Sequence, residues 1–327
     1  MLTKKKSVTE VQKKNCCTLP HDKKQPMQGW ILYRDKITAP EIASHAIDRL
    51  MESAEANGVS LKVVRPEQID LVVNAPQPNL IGLDGRLVPL PDFIIPRTGA
   101  ATSYLALSAI RHLEHLGVYS LNSAASIAVS RDKLAQMQLL AQAGLSVPRT
   151  MLAQFPVNFA TVQQNIGIPT VVKAVSGSKG SGVYLCRTPA ELEEIMMLIE
   201  SVNRQAAVIF QEFIEYSLGR DVRVLTVGDQ AIAGMERRAA GSGFKANFSR
   251  GGDVLPFEIT PEVAQLAVAV AKVFGLDIAG VDLLFDKNGF MICEVNAAPG
   301  FQGLEKASGM DIPKAIFDFV KKPAGHC

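Results

Sequence analysis

Glu294 and Asn296 stand two residues apart in the apolar run Met291-Ile292-Cys293-Glu294-Val295-Asn296, with Asp282 in an earlier apolar run, Ala279 to Phe285. Polar groups in such runs are expensive to bury without a partner. A divalent cation is a fitting partner, because magnesium takes oxygen ligands and is held by one or two carboxylates plus the phosphates of a substrate. Side chains at i and i+2 of a strand share a face, which points Glu294 and Asn296 the same way. Asp286-Lys287-Asn288-Gly289 between the runs is a hairpin signal. A loop of Lys287-Asn288-Gly289 pairs Asp286 with Phe290 and sets Asp282 opposite Glu294. A two-residue loop would invert the parity, so the metal reading expects an odd-length loop. Cys293 is expected on the opposite face, as a small core residue.

A second constellation suggests phosphate chemistry. Ser176-Gly177-Ser178-Lys179-Gly180-Ser181-Gly182 lies between the strand-like runs Thr170 to Val175 and Val183 to Cys186. Such a loop brings backbone N–H groups close to phosphates. It is neither a Walker motif nor a dinucleotide fingerprint, and taken alone it reads as a plain hairpin loop. Lys173 in Val171-Val172-Lys173-Ala174-Val175 changes that reading, since a lysine in an apolar strand needs an anion to meet. Lysine, glycine loop and paired metal ligands together describe a nucleoside triphosphate site.

The elements that position these groups follow from the periodicity. Strand-like runs Trp30 to Tyr33, Leu61 to Val64, Phe93 to Ile95 and Val118 to Leu121 alternate with helix-like stretches Glu41 to Asn57 and Tyr104 to Leu116, which predicts a small parallel α/β domain. Arg97 and Asn122 follow its third and fourth strands, where open α/β sheets place ligands; both are candidates for holding a substrate carboxylate, against the alternatives of a surface cation and a turn asparagine. A helix is expected over Ser130 to Ala143, capped by Ser130. Further on come a helix at Pro189 to Val202, strands at Ala207 to Phe213, Val222 to Val227 and Ala231 to Met235, and a helix at Glu262 to Phe274. The expected divisions are a basic tail at 1–27, an α/β domain at 28–125, and α+β units at 126–210 and 211–322.

The composition, 47% hydrophobic and 20% charged, is that of a soluble globular protein. No apolar run reaches the ~18 residues of a membrane helix. Five cysteines, Cys16, Cys17, Cys186, Cys293 and Cys327, include no C-x-x-C pair, so a cytoplasmic location is expected. Residues 1–27 carry seven lysines and two acids, +5 of the net +2, leaving −3 on the remainder. The tail is expected to be disordered, Met27 is a candidate initiator, and the body lacks the basic excess of a nucleic-acid binder.

Lys133 in Ser130-Arg131-Asp132-Lys133-Leu134, Lys173, the loop 176–182, Gln211-Glu212-Phe213, Asp221-Val222-Arg223, Glu236-Arg237-Arg238, Asn247 before Arg250-Gly251-Gly252, Gly280-Val281-Asp282 and Glu294-Val295-Asn296-Ala297-Ala298-Pro299-Gly300 occur in a fixed order. Over about 28 to 322 that order resembles the ATP-grasp ligases, and among them the RimK-type α-L-glutamate ligases. The resemblance implies an ATP-grasp fold, two α+β subdomains clamping ATP, behind a pre-ATP-grasp α/β domain. It implies that Lys133 and Lys173 touch the phosphates, with Gly177, Ser178, Gly180, Ser181 and Gly182 closing as a lid. It places Glu212 and Phe213 at the adenine edge, Asp221 at the ribose, and Lys245, Ala246 and Asn247 in a nucleotide-contacting stretch. Asp282, Glu294 and Asn296 would carry two magnesium or manganese ions. Arg223, Arg237 or Arg238 could hold the transferring phosphate, with an ion-pair role as the alternative, and Arg250 joins Arg97 and Asn122 as a substrate candidate.

The activity implied is ATP-dependent carboxylate-amine ligation, adding L-glutamate to an amine through an acyl phosphate. The acceptor would be a protein C-terminal region, a ribosomal protein included, or a small molecule, and the assembly a homo-oligomer. The family usually carries Arg-Ser-Asn where this chain has Lys245-Ala246-Asn247, and lysine does not replace a bidentate arginine. The alternatives are a non-catalytic ATP-binding module on the same fold, as synapsins resemble, and a ligase for another amino acid or cofactor.

Overall fold

The computed structural model describes residues 26–33, 42–73, 80–99, 102–174, 182–239, 244 and 252–322. The first layer comprises β1 (Met27–Leu32), α1 (Ile42–Ala56), β2 (Val59–Val64), β3 (Ile69–Val72), β4 (Leu80–Leu83), β5 (Arg86–Leu87), β6 (Phe93–Pro96), α2 (Tyr104–His115) and β7 (Tyr119–Ser120). The apolar runs make a parallel sheet in the order β2-β1-β6-β7. Strand order reverses between β1 and β6, and Arg97 leaves the sheet at that switch point, the usual ligand end of such sheets. A small antiparallel sheet, β3-β4-β5, is inserted between β2 and β6.

Two helices lead out of this layer, α3 (Ala124–Ser130) and α4 (Lys133–Gln142). The expected single helix capped by Ser130 is therefore corrected: Ser130 ends α3, and Asp132 caps α4 by accepting from Leu134 N at 2.9 Å and Ala135 N at 3.0 Å. A carboxylate at this position also meets the positive end of the helix dipole. The cap fixes Lys133 as the first residue of α4.

The next layer contains β8 (Thr150–Gln154), α5 (Phe159–Asn165), β9 (Thr170–Ala174), β10 (Val183–Cys186), α6 (Pro189–Val202) and β11 (Ala207–Glu212). Its strands form an antiparallel sheet in the order β10-β9-β11-β8. Val172, Val208 and Phe210 pack beneath it on Leu192 and Met196 of α6 and Val162 of α5. Alternation then leaves Lys173, Ile209 and Gln211 on the opposite face.

The last layer is β12 (Arg220–Val227), β13 (Gln230–Arg238), β14 (Asp253–Pro256), α7 (Pro261–Val273), β15 (Ile278–Asp286), β16 (Gly289–Asn296), α8 (Gln302–Ser308) and α9 (Ile312–Val320). Its antiparallel sheet runs β14-β13-β12-β15-β16. Val222, Val224, Val281, Leu283, Ile292 and Val295 bury one face against Val263, Ala267 and Val270 of α7. On the other face Leu225, Val227, Met235 and Ile278 join α8, α9 and the first layer, while Asp221, Arg223, Arg237 and Asp282 make a polar end.

The hairpin between β15 and β16 departs from the sequence expectation. Asp286 pairs with Gly289, so the loop is the two residues Lys287-Asn288. The register then shifts between Asp282 and Leu283: Leu283 pairs with Ile292 and Asp282 with Glu294, which leaves Cys293 as an extra residue. A β-bulge supplies the parity that an odd loop would have supplied. Asp282 does face Glu294, by a different device.

Candidate active site

Four elements converge on one crevice. α4 brings Lys133 and Met137, β9 and β11 bring Lys173, Ile209 and Gln211, and β16 brings Cys293 and Glu294. Lysine ammoniums, one carboxylate and a few apolar atoms thus line a cleft between the second and third layers. Burial lowers the pKa of Lys133; Glu294 pulls it back up and Lys173 pushes it down again. Two lysines sensing each other across one cleft make a site for a polyanion. Gln211 is anchored beside them, its Nε2 donating to Thr150 Oγ1 at 3.0 Å.

Cys293 lies in this crevice, where strict alternation had assigned it to the core. The bulge breaks the alternation and turns Cys293 toward Glu294. Burial pushes its thiol up to about 11, against the pull of Lys173.

Behind Glu294 lies a buried square of charge. Arg223 clamps Asp282 with two hydrogen bonds, Nε to Oδ1 at 2.7 Å and Nη2 to Oδ2 at 2.6 Å. Arg237 clamps Asp221 in the same way at 2.6 and 2.7 Å and reaches Asp282 Oδ2 at 2.9 Å. Arg237 and Asp282 are only 4% and 2% exposed. Burial opposes the charge on Asp282, but the two guanidiniums outweigh it and hold its pKa at about 2. Asp221 has one direct guanidinium and a carboxylate neighbour, and burial raises it to about 6.

Among the described residues no three His, Cys, Asp or Glu side chains gather as a metal cluster. The donor set suits a hard cation held partly by substrate. Glu294 Oε1 accepts a 3.3 Å contact from Asn296 Nδ2, and Glu294 is half-buried. A carboxylate offers about four lone-pair directions, and the arginines use three contacts on Asp282. Asp282, Glu294 and the Asn296 carbonyl could therefore hold magnesium whose other ligands are phosphate oxygens and water.

Other expected positions fall differently. Asn122 is fully buried with every amide group committed: Nδ2 donates to the carbonyls of Ile278 and Ala297, both at 2.7 Å, and Oδ1 accepts from Ile278 N at 2.9 Å. It ties the first layer to both strands of the hairpin, which corrects its reading as a substrate ligand. Arg238 is 54% exposed, pairs with Glu236 at 2.8 Å and stands outside the charge square. Asp221 is committed to Arg237 rather than open to a ribose. Glu212 accepts from Arg149 Nε at 3.0 Å, which lowers its pKa, and Phe213 is half-buried beside it.

Arg97 donates from Nη2 to Pro299 O at 2.8 Å and lies over the Phe301 ring at 5.7 Å. Burial lowers its pKa to about 10. Gly182 has a positive φ of 73° just before β10. Gly177, Ser178, Gly180, Ser181, Lys245, Ala246, Asn247 and Arg250 lie outside the described residues. Met137, Ile209 and Gln136 escaped the sequence reading. Their signal was helical spacing from Lys133 and strand pairing with Lys173.

An α/β layer followed by two α+β layers, with facing lysines and carboxylates in the cleft between them, is the architecture of the ATP-grasp fold. Residues 130–320 match the RimK-like ATP-grasp domain and residues 37–127 the RimK pre-ATP-grasp domain. The chain belongs to the RimK-like ATP-grasp family. It is 35% identical over 286 residues to a probable alpha-L-glutamate ligase 1 of Shewanella amazonensis, covering 87% of this chain and 93% of that one. It is 34% identical over 288 residues to a probable alpha-L-glutamate ligase of Legionella pneumophila, covering 88% and 94%. Among solved structures, the ATP-grasp ligase PsnB complexed with a minimal precursor aligns at TM-score 0.70 and 22% identity over 90% of this chain and 98% of that one. A D-alanine-D-alanine ligase from Coxiella burnetii aligns at 0.69 and 15%, over 90% and 93%.

Proposed function

We propose that the protein is an ATP-dependent, ADP-forming carboxylate-amine ligase that adds L-glutamate to an amine. The observation that carries this reading is the convergence of Lys133, Lys173 and Glu294 on one cleft, with Asp282 directly behind Glu294. The names of the curated relatives support glutamate as the amino acid.

A carboxylate is a poor acylating agent, so the γ-phosphoryl group is first transferred to it. The amine then attacks the acyl phosphate and expels phosphate. Such transfer depends on positioning and charge neutralisation rather than on a protein nucleophile. Lys133 and Lys173 bind and orient the triphosphate from two sides. Asp282, Glu294 and Asn296 would hold magnesium or manganese, two ions in the full site, which would supply charge neutralisation for the transfer. A related PsnB complex that contains Mg and ADP supports the magnesium assignment. Arg223 presents its guanidinium beside Asp282 and is the arginine we assign to the transferring phosphate. Arg97, at the switch point of the first sheet, holds a substrate carboxylate.

The acceptor proposed is a protein C-terminal region, a ribosomal protein included, or a small-molecule amine. The assembly proposed is a cytoplasmic homo-oligomer, which light scattering tests. No helix among the described residues is long and apolar enough to cross a membrane.

The test is a panel of amino acids and amines incubated with protein, ATP and magnesium. ADP and phosphate should appear in step with product, and Glu294→Gln should abolish that release while the fold persists. Release of AMP and pyrophosphate would sink the acyl-phosphate mechanism.

A further inference from the structure

We infer that Gln136 is a positioning residue for the metal ligands, holding β16 as a neighbouring strand would. The inference rests on the reading of Glu294 and Asn296 as ligands. Among the described strands β16 is at the edge of its sheet, with β15 on one side. On its free side Gln136 Oε1 accepts from Val295 N at 2.8 Å, and Gln136 Nε2 donates to Val295 O at 3.1 Å. The same Nε2 donates to Ser130 O at 2.5 Å, and the residue is 4% exposed. A side-chain amide that satisfies both the N–H and the C=O of one residue reproduces the pairing a neighbouring strand would give. Val295 lies between Glu294 and Asn296, so fixing it fixes the direction of both side chains.

The bulge gives this contact its importance. An extra residue at Cys293 loosens the ladder just before the ligands, and a slip of one residue there would turn Glu294 and Asn296 to the other face. The free edge is pinned on both sides of the bulge. Ile292 N donates to Ser146 O at 2.8 Å before it, and Val295 is held by Gln136 after it. Gln136 also sits one turn from Lys133 on α4, so a single rigid helix sets the phosphate-binding lysine and the ligand strand relative to each other.

The test measures metal binding rather than turnover. Mn2+ is titrated into the protein with ADP present, and free Mn2+ is read by electron paramagnetic resonance. Gln136→Leu keeps the volume but not the bonds, and should weaken Mn2+ binding by roughly 10- to 100-fold, the usual cost of losing a group that orients a ligand. Leu140→Ala removes core volume from the same helix; it should lower the melting midpoint and leave Mn2+ binding intact, which separates positioning from general loosening. Should Gln136→Leu fail to fold, Gln136→Glu, which keeps the acceptor for Val295 N, is read in the same way. If Glu294→Gln retains wild-type Mn2+ binding, the ligand reading itself is wrong. If Glu294→Gln loses Mn2+ while the Gln136 variants keep it, the positioning role is overturned.

Discussion

Replacing Arg237 with methionine is the sharpest probe of the charge square behind the site. Arg237 is 4% exposed and serves two carboxylates, Asp221 at 2.6 and 2.7 Å and Asp282 at 2.9 Å. Its removal leaves two buried acids with one guanidinium. Breaking a buried pair from one side costs about 3–5 kcal/mol. The shift of Asp282 from 3.8 to about 2, which Arg223 and Arg237 produce together, puts a ceiling of roughly 2 kcal/mol on the share lost through that carboxylate, each unit being about 1.4 kcal/mol. With an unfolding entropy of about 2.1 cal/mol/K per residue, the melting midpoint should fall by roughly 4–7 °C near neutral pH.

The pH dependence has a definite sign. In the wild type Asp282 is depressed in the fold, so its stabilisation is present above pH 3.8 and is lost as pH falls toward 2. In the variant this contribution shrinks, and Asp221, already raised to about 6, rises further. A raised carboxyl stabilises the fold below its unfolded pKa and ceases to do so as pH rises through its folded value. The deficit of Arg237→Met should therefore be largest at neutral pH and should narrow near pH 4. Thermal unfolding monitored by circular dichroism at several pH values measures it, with Asp221→Asn/Arg237→Met recovering part of the loss. A neutral-pH midpoint within a degree of wild type, or a deficit that grows in acid, would refute the account.

Gly280→Ala should impair the site from behind, because a Cβ there would stand 2.6 Å from Pro299 Cβ; a loss of about 1–3 kcal/mol in urea unfolding and a raised metal requirement are expected. Asn122→Ala leaves Ile278 N and the carbonyls of Ile278 and Ala297 without their buried partner, and should cost about 2–4 kcal/mol by thermal unfolding. Alkylation of Cys293, followed by peptide mass spectrometry, should accelerate as pH rises toward its raised pKa of about 11 and should be slowed by ATP. Nucleotide-independent labelling would remove Cys293 from the nucleotide crevice.

The α/β alternation and the long helices were legible because each is an amphipathic pattern with local caps. Pro189–Val202 is bounded as expected, with Thr188 as its cap and proline at its first turn. The small sheet β3-β4-β5, β8, α5 and α8 were not recovered, since each is short and offers few apolar residues, and α9 was missed although Ile312, Ile316, Phe317 and Val320 recur at helical spacing. The site residues were legible by type: a lysine or a carboxylate in an apolar strand states a need. Whether that need is met by ligand or by protein depends on tertiary partners. Asn122 illustrates the difference, its amide being consumed by backbone more than 150 residues away in sequence. Asp221 and Arg237 illustrate it again, as neighbours across β12 and β13 that satisfy each other.

The parity of β16 was also written in the chain, although not where the reading placed it. Ile292 and Val295 are both fully buried on the α7 face, yet they stand three positions apart, with two residues between them. Strict alternation cannot put both inward, so one residue between them must be extra. An odd hairpin loop could have aligned Asp282 with Glu294, but it would not have reconciled Ile292 with Val295. A bulge at Cys293 does both. It turns Cys293 into the crevice and lets the short, well-defined Lys287-Asn288 loop close the far end of the hairpin. The geometry of the carboxylates is thus determined beside the cleft, where Gln136, Ser146 and Asn122 hold the backbone, and does not depend on the distant turn.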